Sequence, residues 1–64
     1  MDMKFQKGDT VYLISCIHFI EEATVVMNVA GFVIIHFTER GGGTRVRENR
    51  LYPTQEEAEA AIKN

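Results

Sequence analysis

The chain has 64 residues, 45% of them hydrophobic and 25% charged, with a formal net charge of −2. A chain this short forms one domain with a net stability of about 3–5 kcal/mol, and it has no room for both a core and a substrate cavity of ordinary enzyme size. The slight acidity argues against a surface built throughout for nucleic acid, but it leaves space for a local basic patch.

The single cysteine, Cys16, cannot form an internal disulfide, which suits a reducing compartment. The opening MDMKFQKGD is charged from its second residue and has no basic-then-apolar leader. The longest apolar runs fall far short of the ~20 residues a membrane span needs. The expectation is a cytoplasmic protein, with no membrane, cofactor or small-molecule substrate indicated.

Taken in chain order, Phe5 is the one residue of the opening segment with reason to dock. Lys7-Gly8-Asp9 reads as a turn. Residues 10–15 (TVYLIS) read as a strand, with Val11 and Leu13 on one face and Tyr12 and Ile14 on the other. Residues 16–20 either continue that strand or loop over the barrel mouth. Residues 21–29 (EEATVVMNV) form the next strand, in which Ala23, Val25 and Met27 share one parity and Thr24, Val26 and Asn28 the other. Residues 28–31 turn the chain.

Residues 32–37 (FVIIHF) are branched or aromatic in all but His36, which fits a pleated surface, and the run is too short to favour a helix. Gly41, Gly42 and Gly43 can each take positive φ in the turn that follows. Residues 44–48 alternate outward Arg45 and Arg47 with inward Val46. Parity then turns Val33, Ile35 and Phe37 inward and leaves Phe32, Ile34 and His36 on the opposite face. Asn49-Arg50 turns the chain again, and Leu51-Tyr52 forms a last short strand or 3₁₀ turn before Pro53.

The end is helical. Thr54 and Glu57 fit a capping box, the carboxylates of the first turns suit the helix dipole, and Ala58, Ala61 and Ile62 form a narrow apolar stripe. Such a short helix persists only if it docks, and it is expected to cover part of the outer apolar set. No second domain is indicated across residues 1–64.

The order GDTVYLI, EEATVV, then FVIIHF-turn-TRVRENRLYP resembles the SH3-like barrels of the Tudor and KOW type over roughly residues 7–53. That resemblance implies a mainly β fold: a small antiparallel barrel of about five strands over residues 5–53, followed by one short helix over 54–63. The appended PTQEEAEAAI helix is similar to that of small bacterial and phage-type proteins, a likeness that brings no activity with it. A Tudor domain that reads a methylated cation closes an aromatic cage around it. Here Ser15 and Cys16 stand where an aromatic would be expected, and Tyr12, Phe19 and Phe37 are the aromatics available, with Phe37 assigned to the core by its parity.

Two candidate surfaces emerge. The apolar set Tyr12, Ile14, Val26, Phe32, Ile34 and His36 is either a satellite core beneath the helix or a surface for a protein partner or a second copy. Arg40, Arg45, Arg47 and Arg50, with Tyr52 as stacking aromatic, offer the alternative of nucleic-acid binding; Glu21, Glu22 and Glu39 are possible ion-pair partners for them. Catalytic chemistry finds little support. Cys16 and His18 stand two apart but lack an orienting third group. Cys16, His18 and His36 are too few for a metal site. The glycine run leads into a strand rather than the helix a phosphate loop needs. The sequence therefore predicts a non-enzymatic interaction module.

Overall fold

The computed structural model describes residues 4–15 and 19–63. Five strands run as β1 (Thr10–Ile14), β2 (Ile20–Val29), β3 (Phe32–Phe37), β4 (Gly43–Arg47) and β5 (Leu51–Tyr52), followed by the helix α1 (Gln55–Lys63). A 3₁₀ turn over Glu48–Arg50 joins β4 to β5. All pairings are antiparallel in the order β4-β3-β2-β1-β5, and the sheet curls into a half-barrel whose borders are β4 and β5. The expected architecture of about five strands and one C-terminal helix is observed. No helix among the described residues is long and apolar enough to cross a membrane.

The concave side holds the core: Val11, Leu13, Ala23, Val25, Val33, Ile35, Phe37 and Leu51, with Phe5 folded in from the N-terminal segment. Val46 packs against this cluster but stays half-buried at the border. Period-two alternation therefore holds in β1, β3 and β4, as the side-chain pattern predicts.

It fails in β2. Val25 pairs with Ile35, but Met27, not Val26, pairs with Ile34. Val26 is the extra residue of a bulge, and it reverses the parity of everything after it. Met27 and Val29 turn outward, and Asn28 turns toward the core side. Straight alternation, which grouped Met27 with Ala23 and Val25, is corrected here. The inward Asn28 makes the reversal physically acceptable, because its polar atoms are engaged. Its Nδ2 donates to Phe5 O at 2.8 Å and to Glu48 Oε2 at 2.8 Å, and its Oδ1 accepts the Gly31 amide at 3.2 Å. Glu48 Oε2 also accepts the Lys4 amide at 2.9 Å, so Asn28 and Glu48 together clasp the N-terminal segment that delivers Phe5 to the core.

The β2–β3 turn is tighter than expected. The strand runs to Val29, and Ala30 and Gly31 alone reverse it at φ 53° and 87°, the two positive values of a hairpin turn. In the β3–β4 connection Gly41 and Gly42 take positive φ, whereas Gly43 does not. Gly43 is needed for another reason: a Cβ there would lie 2.6 Å from the Ile35 carbonyl oxygen.

The helix begins at its predicted cap. The Glu57 amide donates to Thr54 Oγ1 at 3.2 Å. Ala58 is completely buried yet lies outside the concave core cluster, and α1 neighbours β1, β5 and the start of β2. The helix thus docks on the convex side, beside half-buried Tyr12, Ile14, Ile20 and Tyr52.

Candidate interaction surface

The convex side divides into a covered and an open part. Tyr12 and Ile14 lie at the covered part and are half-buried. A groove of about 340 Å³ separates Ile20 from Gln55, Glu59 and Ile62 of the helix. The open part lies over β2 and β3, where Val26, Met27, Val29, Phe32 and Ile34 are 43%, 46%, 59%, 40% and 37% exposed. Cross-strand register makes them contiguous: Met27 stands beside Ile34, and Val29 beside Phe32. His36, also exposed, pairs with Thr24 farther along the same face.

The six apolar candidates are therefore not one site. The helix takes Tyr12 and Ile14. Val26, Phe32, Ile34 and His36 remain open, and the bulge adds Met27, which alternation groups with Ala23 and Val25, and Val29, which the sequence pattern makes part of the turn. No signal in ATVVMNV announces this, because Val26 and Met27 are both apolar and either parity leaves an apolar face.

The arginine set divides as well. Arg45 and Arg47 lie exposed on β4 beside Ile34 and Phe32. Their guanidinium carbons stand 5.5 Å and 5.1 Å from the centre of the Phe32 ring, so one aromatic is flanked by two cations. Arg40 is elsewhere: it forms an ion pair with Glu21 at 3.1 Å and lies 4.1 Å over the Phe37 ring. Glu21 Oε1 is buried, and the contact is not aligned as a hydrogen bond. Tyr52 sits on β5, at the opposite border of the sheet from β4, so it is not the aromatic that accompanies Arg45 and Arg47. Phe32 is, and the hairpin register that pairs it with Arg47 was the signal that could have found it. Arg50 lies exposed in the 3₁₀ turn.

A cavity of about 410 Å³ opens where β2 begins and β3 ends, and Tyr12, Phe19 and Phe37 all line it, together with Glu21, Glu22, Glu39 and Arg40. Phe37 belongs to the core, as its parity predicts, and Arg40 covers its ring. Cys16 and His18 lie outside the described residues. Among the described residues no three His, Cys, Asp or Glu side chains are grouped to hold a metal ion.

Among the described residues Glu48 is the one titratable group whose surroundings clearly shift it. The hydrogen bond from Asn28 holds its carboxyl below the ordinary value of 4.5, with help from the backbone amides of Lys4 and Phe5 and the Lys4 charge, against a smaller opposing effect of burial. Its role is to fasten the N-terminal segment.

Comparison with protein-family models, with curated proteins and with solved structures gives no match.

Proposed function

We propose that the protein is a non-enzymatic interaction module that binds a protein partner through the open convex face of β2 and β3. One observation carries the reading: five large apolar side chains on two adjacent strands stay 37–59% exposed although the chain has a helix available to cover them. A contiguous apolar patch with a charged border is the composition of a binding surface, and a domain this small gains little by leaving it in water. The partner is another protein or a second copy of the chain. The element order, a meander whose last strand returns to β1, supports placing the module among SH3-like barrels of the Tudor or KOW type.

Photo-crosslinking tests the reading. A photoreactive residue at Ile34 is expected to give a discrete protein adduct that Phe32→Asp abolishes. The same group at Glu57, on the exposed side of the helix, is expected to give none. Equal adducts at both positions would overturn the proposal.

Nucleic acid is the second reading, favoured by the two arginines around Phe32, since an aromatic with flanking cations is a stacking platform for an unpaired base. It requires a shift with single-stranded oligonucleotide that weakens with salt and is lost in Phe32→Ala. The four aliphatic neighbours of Phe32 offer nothing to phosphates, which is why protein is the first reading.

A further inference from the structure

We propose that border strand β4 takes up an extended acidic segment of a partner protein as a sixth strand of the sheet. This rests on reading the convex face as protein-binding, because the added strand would run along the edge of that face. Among the described residues the sheet does not close on itself: β4 lies at one border, and β5 at the other is only two residues long. β4 spans five residues, enough to template a partner strand.

The register says which backbone groups are on offer. The Phe37 amide donates to Gly42 O at 2.9 Å, and the Glu48 amide to Gly31 O at 2.8 Å. Bonded pairs recur at every second residue of an antiparallel ladder. Val33 with Val46, and Ile35 with Thr44, are therefore the bonded pairs between them. The N–H and C=O groups of Gly43 and Arg45, and the N–H of Arg47, point away from β3 toward the open border. Val46, in contact with the core yet half-exposed, marks the same border as uncovered.

Charge selects the occupant. The convex side of β4 carries Arg45 and Arg47, both exposed. Side chains of an added strand on that side would stand directly beside them, where opposite charges attract and like charges repel. Carboxylates at alternate positions match the guanidinium forks. The intervening side chains would turn toward Val46 and so should be apolar. A second copy paired β4 to β4 would place arginine beside arginine, which disfavours self-pairing at this edge.

The test is amide NMR on the labelled full chain at low salt. The probe is a short capped peptide alternating valine and glutamate, compared with the same peptide carrying lysine in place of glutamate. The expected result is binding of the glutamate peptide at least about tenfold tighter than the lysine peptide, with shifted and exchange-protected amides at Gly43, Arg45 and Arg47. Arg45→Ala with Arg47→Ala should erase the preference. Arg45→Pro, which removes an outward N–H that a border strand can lose, should abolish binding with the folded spectrum kept; if that variant does not fold, the double alanine variant decides. Equal binding of the two peptides overturns strand addition, as does displacement of the glutamate peptide by single-stranded oligothymidylate at equal concentration. Shifts confined to Met27, Val29, Phe32 and Ile34 overturn strand addition but leave the convex face as a binding surface. No shift anywhere overturns strand addition, and crosslinking at Ile34 then decides the wider reading separately.

Discussion

Ile34 and Ile35 are adjacent in β3 and share every local preference, yet Ile35 has no exposed surface and Ile34 keeps 37% of its own. The difference is parity alone. On the concave side each apolar residue meets others across the curl, and the set forms one cluster. On the convex side the cover among the described residues is a nine-residue helix, which sits over β1 and β5 and leaves most of β2 and β3 open. Side chains of one type thus hold the fold together on one face and remain in water on the other. Apolar character alone does not separate a core residue from an interface residue.

The largest expected effect sharpens this contrast. Ile35→Ala should cost about 2–5 kcal/mol, as much as the whole stability of a domain this size, so the variant should be unfolded by circular dichroism at 25 °C. Ile35→Val, costing about 0.5–1.5 kcal/mol, should stay folded.

Next is the residue that makes the parity reversal in β2 acceptable. Asn28→Ala removes the donor to Phe5 O and Glu48 and the acceptor of the Gly31 amide. The expected loss is about 1–3 kcal/mol in urea unfolding, with the amides of Lys4 and Phe5 losing exchange protection first. A loss spread evenly over the sheet would break the link between Asn28 and the N-terminal clasp.

A smaller effect of opposite sign is expected at the hairpin. Ala30 holds φ 53° without being glycine, so Ala30→Gly should gain about 0.5–1 kcal/mol, less than the full left-handed penalty because glycine is also freer when unfolded.

The smallest effect is in pH. The folded Glu48 carboxyl is held below 4.5, so its contribution is fully present above that value and is lost as pH falls through the lower folded-state value. Glu48→Gln should flatten the acid limb of the stability curve below about pH 4.5 and leave its shape near neutrality unchanged. An unchanged acid limb would show that the clasp does not depend on the carboxylate.

Much of the fold was legible. Alternation in β1, β3 and β4 placed Val11, Leu13, Val33, Ile35, Phe37 and Val46 on the correct side, because one buried face forces period two. Thr54 and Glu57 marked the helix start through their bonding chemistry. The second half of β2 was not legible: Val25, Val26 and Met27 are all apolar, and the deciding contacts come from Phe5 and Glu48, twenty or more residues away along the chain. The candidate surface was half legible for the same reason. Its β3 members followed from parity. Its β2 members depended on the bulge, and the grouping of Arg45 and Arg47 with Phe32, and not with Tyr52, depended on register.

A convex face kept open for a partner should not stabilise the isolated domain. Urea unfolding of Ile34→Ala at low protein concentration tests it most directly. A loss below about 1 kcal/mol with an unchanged denaturant slope is expected. A loss of about 2 kcal/mol or more, in the range of a buried aliphatic, would make Ile34 a core residue and rule out a face kept open for a partner.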